Sequence, residues 1–407
     1  MKNKLFRKCE ESKEFRDPIH SYIHVEYQII YALISCPSFQ RLRRIKQLGA
    51  TYIVYPTAEH SRFSHSLGVY EISRRIVEEN KHIKDALSEE EMLYVMIAAL
   101  LHDIGHGPYS HVFERITEIS HERTSFELLL SDDSDIHKIL ENYQNGLSRI
   151  IASIIDHSYP KKLCWQLISS QLDADRMDYL LRDAYFTGTK YGEFDLERIL
   201  RTLRVKDKSL VVKQSGIYAV EDYLMARFHM FWQVYYHINI RIYEQMFVAL
   251  IDRILDLTID DDYYLNGLNK LIRPEHIDLK LFLSFDDGSI NEIFKRLIKH
   301  PDKTIRDLAR RLLDRDLFKE YEDSDENYKL LKAKILDRDL EPKYYLLKDS
   351  HRFNATRPYI STGKQKINIL LSDKMTIKEF TEVSSIMKSL SKVNDIHESF
   401  LFAPDLI

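Results

Sequence analysis

The chain has 407 residues, of which 44% are hydrophobic and 30% are charged, so it can bury a sizeable core and is not a disordered chain. Since a domain holds roughly 150 residues, the length predicts one large domain with a smaller appendage, or two to three domains. The 59 lysines and arginines are offset by 63 aspartates and glutamates, which gives a net charge of −4. This balance excludes a globally basic nucleic-acid-binding surface, although a local basic cleft is still compatible with it.

The three cysteines and the hydrophobic runs indicate the compartment. Cys9, Cys36 and Cys164 lack pairing spacing, which excludes a disulfide framework and a thiolate zinc site and favours a reducing compartment. The longest apolar run, Met92–Leu101, is about half as long as a membrane-spanning helix requires. Because the N-terminus is polar and of mixed charge, we also expect no signal peptide. The sequence therefore predicts a cytoplasmic protein without a membrane partner.

The first predicted element is a short extended arm or hairpin over Met1–His24. Helical periodicity then starts at Tyr27, and another helix opens within His60–Val69. Ser88–Glu91 has the pattern of a capping box directly before the apolar run, and this helix should end near Gly105.

The later segments read as helices up to about residue 330 and as a mixture of strands and helices beyond it. We predict helices from Ser169 through Tyr185, over Tyr218–Asp256 and within Asp278–Tyr328, strands over Tyr344–Lys348 and Lys366–Leu371, and a last helix at a second capping box, Thr376–Glu379. The predicted regions are an N-terminal arm (1–24), a main helical domain (25–250), a helical extension (251–330) and a small α+β region (331–407).

Histidine is the residue type that points to chemistry. Seven of the 17 histidines lie between His60 and His121, and His102–His111 places three of them at the end of the apolar helix. Adjacent helical positions diverge by about 100°, so His102 and Asp103 can approach one ion only where Gly105 lets the backbone depart from regularity. Imidazole and carboxylate groups both ligate divalent ions. A capped helix end with solvated histidines is the alternative interpretation.

Two further segments contain candidate ligands. His65 lies on the apolar side of its helix, where a histidine buried in the core is the more common situation. Spacings of four and seven place Asp175, Tyr179 and Arg182 on one helix face. That face is either solvated or buried, and a buried carboxylate needs a cation or hydrogen-bond donors.

Together, these segments resemble a known family, the HD-domain metal-dependent phosphohydrolases, and within it the deoxynucleoside triphosphate triphosphohydrolase branch. The resemblance covers roughly residues 17–239 and implies that the main domain is an HD phosphohydrolase domain. It implies a mainly α fold with an HD-domain helical core, to which the sequence patterns add a short N-terminal β arm and a small C-terminal α+β region. The blocks that carry it are Asp17–His20, Phe39–Gly49, Arg62–Val69, His102–His111 and Asp173–Asp183.

Carried over by position, the resemblance implies that His65, His102, Asp103 and Asp175 ligate one divalent ion. Manganese, iron, nickel, zinc and magnesium all suit such a mixed site. The ion would lower the pKa of a bound water and polarise the phosphoryl group under attack.

The resemblance also assigns roles to other residues. It implies that His121 is a general acid or base oriented by Glu122, and that His106 acts beside it. The implied substrate-binding residues are Gln47, Leu48, Arg62, His106, His111, Arg176, Tyr179, Asp183, Arg227 and Tyr235. Phe231 stands where the human enzyme of this branch has a histidine, and Tyr236 stands where it has a glutamine near the nucleobase. The resemblance therefore does not predict which nucleobase is preferred.

Regulation and assembly are expected from the same family pattern. Gln40 and Arg43 match regulatory nucleotide positions, whereas Ser35 stands where the human-type enzyme has an aspartate that recognises guanine. The family implies a homo-oligomer, dimer or tetramer, with a nucleotide activator between subunits. A solvated basic face is the alternative for this segment.

The expected reaction is metal-dependent hydrolysis of a deoxynucleoside triphosphate to a deoxynucleoside and inorganic triphosphate. One alternative is another HD phosphohydrolase, which acts on nucleoside monophosphates, cyclic nucleotides or alarmones. The other is an oligomer that binds nucleotides or single-stranded nucleic acid with little hydrolysis, through Arg41–Lys46 and the aromatic stretch Phe228–Tyr236.

Overall fold

Most of the chain is helical, and the strands of the described residues form three small sheets. The computed structural model describes residues 4–257, 265–272, 274–353, 359, 366–390 and 396–405. Parts of the predicted regions 251–330 and 331–407 therefore lie outside the described residues. Every described helix falls short of the length and apolarity that crossing a membrane requires.

The N-terminal arm is a hairpin, as predicted. Strands β1 (Lys8–Asp17) and β2 (Ser21–Tyr27) are antiparallel, with Asp17 opposite Ser21. Their connection places Asp17 and His20 against the helical core, where both side chains are used.

Fourteen α-helices lie within residues 4–257. They are α1 (Gln28–Ser35), α2 (Pro37–Gln40), α3 (Arg62–Glu79), α4 (Lys81–Lys84), α5 (Glu89–Leu101), α6 (His111–Thr117), α7 (His121–Leu130), α8 (Asp135–Tyr143), α9 (Leu147–Ile155), α10 (Lys162–Gln166), α11 (Ala174–Thr187), α12 (Leu196–Thr202), α13 (Ile217–Met230) and α14 (Ile238–Asp256). The later helices are Leu279–Ser284, Asp287–Leu297, Lys303–Asp314, Asp325–Asp337, Pro342–Tyr345, Phe380–Val383 and Ser385–Leu390. Short 3₁₀ helices cover Lys4–Phe6, Arg41–Arg44, Gly49–Ile53, Gln214–Gly216 and Leu268–Leu271.

Helix α5 is the central element of the core. Its residues from Leu93 to Leu101 are all buried, because the segment is apolar on every side. The capping box predicted at Ser88 is present: the Ser88 hydroxyl accepts from the Glu91 amide, and the Glu91 carboxylate accepts from the Ser88 amide. α5 packs against α3, which begins at Arg62 as expected.

Gly68 permits the close crossing of α3 and α11. A Cβ atom there would lie 1.8 Å from Oδ1 of Asp178 and 2.5 Å from a guanidinium nitrogen of Arg182, so only glycine fits. The crossing brings the first turns of α3 and α11 together. α11 begins at Ala174 rather than near Ser169, because the Asp173 side chain accepts from the Arg176 amide as an N-cap.

The predicted helix over Tyr218–Asp256 is correct in extent but is interrupted. A π-helical turn, Phe231–Tyr235, separates α13 from α14. Such turns insert an extra residue into the helical ladder and often lie at functional sites.

The remaining strands form two sheets, one of which combines strands from the predicted main domain and the predicted C-terminal region. A four-stranded sheet has the order β3 (Leu203–Lys206), β4 (Ser209–Lys213), β7 (Asn368–Leu370) and β8 (Ile377–Glu379), with β4 and β7 parallel. A three-stranded antiparallel sheet has the order β5 (Lys319–Glu322), β9 (Ile396–Ala403) and β6 (Leu347–Phe353). The C-terminal strands β7 and β8 thus extend a hairpin of the main domain.

Two predictions about the C-terminal region are wrong in detail. Tyr344 and Tyr345 belong to a short helix, and the strand begins only at Leu347. The segment starting at Thr376 forms strand β8 instead of opening a helix, since Ile377 pairs with Leu370. The capping box there is made by Glu379 and its N3 residue, Glu382.

Candidate metal centre and active site

The four candidate metal ligands converge at the meeting point of three helices. His65 comes from the first turn of α3, His102 and Asp103 follow the end of α5, and Asp175 lies in the first turn of α11. Nε2 of His65 is 3.1 Å from Oδ1 of Asp175 and 3.8 Å from Oδ2 of Asp103. Nε2 of His102 lies 3.5 Å from Oδ1 of Asp175 and 3.4 Å from Oδ1 of Asp103.

The tautomer of His102 suits a metal ligand. Nδ1 of His102 is 2.8 Å from the carbonyl oxygen of Ala99, which can only accept, so Nδ1 carries the proton and Nε2 presents a lone pair. Nε2 of His102 is buried and, within the described residues, makes no hydrogen bond. Divalent ions in proteins are commonly bound by an imidazole nitrogen of this kind together with carboxylate oxygens. His65, His102 and Asp175 have ligand atoms close enough to hold one such ion.

The electrostatics of this group favour a cation. Burial opposes ionisation, yet His102 and His65 outweigh it and hold the pKa of Asp175 below its usual range. The pKa of Asp103 is also held well below its ordinary value, mainly by His102 and Arg62 against the effect of burial. Both carboxylates are therefore ionised, and two negative charges beside partly or fully buried side chains attract a cation.

A buried network orients His65. Nδ1 of His65 is 2.8 Å from Oδ2 of Asp178, a carboxylate that also lies 2.6 Å from Nε2 of His20. Arg182 donates to the same carboxylate over 2.8 Å and 2.9 Å, and to Asp17 over 2.7 Å and 3.2 Å. The N-terminal hairpin thereby contacts the group that fixes the His65 ring. The sequence blocks contained these residues, but their supporting role was missed, since it depends on contacts between segments far apart in the chain.

A second group of side chains lies beside the first. Nδ1 of His121 is 2.7 Å from Oε1 of Glu114, and the rings of His106 and His121 stack with centroids 3.9 Å apart. Glu122, which we expected to orient His121, is 67% exposed and 3.6 Å from Nε2. The hydrogen-bonded partner of His121 is Glu114, a residue that lies outside every predicted motif. The ligand atoms of His106, Glu114 and His121 are also close enough to hold a cation.

The ionisation of this second group suits proton transfer. Burial would lower the pKa of His121, but the hydrogen bond with Glu114 outweighs it and raises the pKa above the ordinary value of 6.5. By contrast, burial and the neighbouring Arg62 lower the pKa of His106 to about 3, so this imidazole is neutral near pH 7. His121 can therefore carry a proton, and neutral His106 has one ring nitrogen with a free lone pair.

Two backbone features bring the two groups together. A Cβ atom on Gly105 would lie 2.3 Å from the carbonyl oxygen of His121 and 2.4 Å from the amide of Ser125, so glycine allows the turn after α5 to touch α7. Glu118 adopts a left-handed conformation, with φ at 58°, which reverses the chain between α6 and α7. The reversal returns His121 to Glu114.

The residues predicted to contact phosphate differ in how firmly their side chains are held. Arg62 donates to Asp103 and, over 2.7 Å and 3.2 Å, to the Ser110 hydroxyl. Arg176 donates to Asp173 over 2.7 Å, while its Nε is buried and, in the described part of the chain, lacks a partner. The His111 side chain is 74% exposed and lies 3.6 Å from Glu114, at the rim.

A buried carboxylate marks the other side of the site. Asp183 accepts from the Tyr235 hydroxyl over 2.8 Å and lies 2.7 Å from Nε2 of His60. Tyr179 connects this group with the metal ligands, since its ring centroid is 6.0 Å from that of Tyr235 and 6.4 Å from that of His65. Tyr235 comes from the π-helical turn, which therefore supplies one wall of the site.

Other predicted substrate residues and the predicted regulatory pair have defined positions. Gln47 places a buried Oε1 without a hydrogen-bond partner in the described region, and Leu48 beside it is half-buried. The guanidinium of Arg227 lies 5.8 Å from the ring centroid of Phe231. Arg43 donates to Gln40 over 2.9 Å, so these two side chains form one polar unit.

Comparisons with known proteins agree with this architecture. The HD domain matches residues 62–183, and the HD associated region matches residues 194–323. The uncharacterized protein YwfO of Bacillus subtilis is 38% identical over 98% of this chain and 94% of its own length. The deoxynucleoside triphosphate triphosphohydrolase SAMHD1 of Gallus gallus is 33% identical, over 50% of this chain and 38% of that protein.

A solved structure shares the whole fold. The crystal structure of a phosphohydrolase from Bacteroides thetaiotaomicron aligns with a TM-score of 0.86 at 30% identity, over 97% of this chain and 100% of that one. Both sequence and fold are thus matched along nearly the full length. This chain belongs to the HD-domain phosphohydrolases.

Proposed function

We propose that this phosphohydrolase cleaves deoxynucleoside triphosphates at the α-phosphorus and releases a deoxynucleoside and inorganic triphosphate. The observation that carries the proposal is the adjacency of two groups around Asp103. Oδ1 of Asp103 is 3.4 Å from Nε2 of His102 in the first group and 3.4 Å from Nε2 of His106 in the second. The residues that could hold a cation therefore lie directly beside the pair proposed to transfer a proton, and Arg62 faces both groups.

The residues that would hold one divalent ion are His65, His102, Asp103 and Asp175. Such an ion supplies Lewis acidity toward a phosphoryl oxygen and lowers the pKa of a bound water. Its identity is left to measurement, because manganese, iron, nickel, zinc and magnesium all accept this mixture of nitrogen and oxygen donors.

The side chains of the second group, His106, Glu114 and His121, would carry out the proton transfer. Glu114 accepts from Nδ1 of His121, which leaves Nε2 to exchange a proton with the departing 5′-oxygen of the nucleoside. Neutral His106 stacks on the His121 ring and limits its rotation. Loss of a deoxynucleoside as a unit requires this proton, since an alkoxide is a poor leaving group.

Charged and polar side chains would bind the rest of the substrate. Arg62, Arg176 and His111 would contact phosphate oxygens, which form strong charge-assisted hydrogen bonds with guanidinium groups. Asp183 with Tyr235 and Tyr179, and Gln47 with Leu48, would contact the sugar. Support for a deoxynucleotide substrate also comes from SAMHD1 of Gallus gallus, whose name states that activity.

Regulation by a nucleotide and assembly as a homo-oligomer, dimer or tetramer, belong to the same proposal. Gln40 and Arg43 form the polar unit that would bind the activator between subunits. Gel filtration coupled to light scattering, with and without GTP and dNTPs, tests this part: the mass of the particle should rise in their presence and should not do so in Arg43→Ala.

The central experiment incubates the metal-loaded protein with each of the four dNTPs, with and without nucleotide activators, and separates the products by anion exchange. The expected products are a deoxynucleoside and inorganic triphosphate in equal amounts. Asp175→Ala should abolish turnover, whereas Asp222→Ala, an exposed substitution on α13, should not. Release of only mono- or diphosphate, or turnover of nucleoside monophosphates, cyclic nucleotides or alarmones instead, would contradict the proposal.

A further inference from the structure

A basic cleft opens at the end of α3 that lies away from the candidate active site. It has a volume of about 350 Å³ and is bounded by the end of α3, α4, α12 and the first residues of β3. His65 lies in the first turn of α3, and Arg75, which lines the cleft, comes ten residues later. At 1.5 Å per residue, this spacing separates the two by about 15 Å along the helix axis. The cleft is therefore a separate feature of the domain.

The charges that line this cleft are not balanced. Its two carboxylates, on Glu79 and Glu197, both pair with Arg75, at 3.7 Å for Glu79 and at 2.6 Å and 2.8 Å for the two oxygens of Glu197. For Lys81 and Arg201, the described residues supply no carboxylate within ion-pair distance. A chain of net charge −4 thus presents unneutralised cations in one concave place.

Arg204 is the third unneutralised cation, and it is held in position. One of its terminal nitrogens donates to the carbonyl oxygens of Arg201, over 2.8 Å, and Leu203, over 2.7 Å. These two contacts fix the plane of the guanidinium group without neutralising its charge. Burial lowers the pKa of Arg204, which is the effect expected of a cation that has lost part of its hydration and has no anion beside it.

We propose that this cleft binds a small inorganic polyphosphate, such as diphosphate or triphosphate, through Lys81, Arg201 and Arg204. Guanidinium groups match the oxygens of phosphate groups with paired donors, and an ammonium group adds a mobile point charge. The volume lies within the range of small-molecule sites.

The residues that line the cleft favour an inorganic ligand over a ligand that carries a nucleobase. Leu200 is the apolar member of the lining, and the described lining residues include no phenylalanine, tyrosine or tryptophan. A nucleotide or a nucleic-acid strand gains much of its affinity from stacking on such rings. A ligand made of phosphate alone needs none of them. The inference is independent of the substrate of the active site.

Isothermal titration calorimetry of the full chain with sodium triphosphate tests the proposal. The double variant Arg201→Gln/Arg204→Gln should weaken triphosphate binding at the cleft roughly tenfold or more, since it removes two charge-assisted donors. The single variant Lys81→Gln changes one exposed side chain and should weaken the same binding event by a smaller factor. A matched control, Lys84→Gln/Lys208→Gln, removes the same charge outside the lining and should bind like the unaltered chain.

One further variant distinguishes triphosphate binding at the cleft from triphosphate binding at the active site. Arg62→Gln should weaken any triphosphate binding at the active site and leave binding at the cleft unchanged. Equal triphosphate affinity in the Arg201→Gln/Arg204→Gln, Lys81→Gln and unaltered chains would overturn the proposal. So would triphosphate binding that disappears entirely in Arg62→Gln. If a single-stranded oligonucleotide displaces triphosphate and loses affinity in the double variant, the cleft is a nucleic-acid surface and the assignment to a small anion is wrong.

Discussion

The imidazole of His65 and the carboxylate of Asp178 are joined by a 2.8 Å hydrogen bond on the side of the ring that faces away from the other candidate ligands. Asp178 is fully buried and has a pKa held well below its ordinary value, chiefly by Arg182 against the effect of burial. An ionised carboxylate in this place fixes both the tautomer and the direction of the His65 lone pair.

We therefore expect Asp178→Asn to lower the affinity for the divalent ion about 10- to 100-fold, the usual effect of removing such an outer partner. The substitution keeps the shape of the side chain, and Asp17 still pairs with Arg182. Competition with a chromophoric chelator measures the affinity. Asp222→Asn on the surface of α13 is the control, and equal affinities in the two variants would contradict the orienting role.

A second prediction concerns Glu114 and Glu122. Glu114→Gln should lower kcat/KM at least tenfold, because His121 would lose the carboxylate that orients its ring, and His121→Gln should lower it about 10²- to 10⁴-fold. Glu122→Gln should have a much smaller effect, since that side chain is exposed and 3.6 Å from the ring. Steady-state kinetics on the preferred dNTP decide the matter, with Glu127→Gln on the exposed side of α7 as the control. A larger loss in Glu122→Gln than in Glu114→Gln would restore the role expected from the sequence.

The second prediction extends to pH, because Glu114 sets the ionisation of His121. His121 must be protonated to act as an acid, so kcat/KM should fall as the pH rises through its pKa, which Glu114 holds above 6.5. Removing the carboxylate removes the influence that raises this pKa. In Glu114→Gln the alkaline limb of the pH–rate profile should therefore move to lower pH. A limb that stays in place or moves upward would show that another group titrates.

Glu114 shows why one part of the site could be predicted and another could not. The candidate ligands His65, His102, Asp103 and Asp175 belong to compact motifs, and each motif is recognisable as a short stretch of sequence. Glu114 reaches His121 only because Glu118 adopts φ of 58° and reverses the chain, and no sequence pattern marked that turn. The same limit explains the error at Thr376, where the capping-box pattern was present but pairing of Ile377 with Leu370 prevailed.

The fold was predicted best where local and tertiary preferences agree. The apolar run of α5 with its Ser88 cap could only be a buried helix, and the N-terminal hairpin was bounded by its own turn. The helix predicted over Tyr218–Asp256 contains a π-helical turn that composition does not reveal, because Phe231–Tyr235 has ordinary helical periodicity. Tyr235, at the end of this turn, donates its hydroxyl to Asp183, a contact between segments distant in sequence.

A third prediction tests the crossing of α3 and α11. Gly68→Ala would place a methyl group 1.8 Å from Oδ1 of Asp178, so the two helices must separate. We expect the free energy of unfolding to fall by about 1–3 kcal/mol, as in other overpacked cores, and ion affinity to fall with it. Chemical denaturation measures the first effect. Gly288→Ala, where the nearest heavy atom is Oδ1 of Asp286 at 3.2 Å, is the control and should be nearly neutral. A fully stable Gly68→Ala protein would show that the crossing has room to adjust.

A fourth prediction concerns removal of the ion. An ion that binds only the folded chain stabilises it by about 2.7 kcal/mol at a free concentration one hundred times its Kd. Dialysis against a chelator should therefore lower Tm and abolish hydrolysis, and adding back the native ion should restore both. Elemental analysis before and after dialysis identifies the metal. An unchanged Tm together with a metal-free preparation that still turns over substrate would contradict a metal-dependent reaction.

The parallel pairing of β4 with β7 has a consequence for biosynthesis. Val212 and Lys213 pair with Ile369 and Leu370, which the ribosome adds long after the HD domain has left the exit tunnel. Until then the β3–β4 hairpin has a bare edge, and unpaired edges of this kind recruit strands from other molecules. Truncated or stalled chains that lack β7 should therefore aggregate, even though every candidate catalytic residue has already been made.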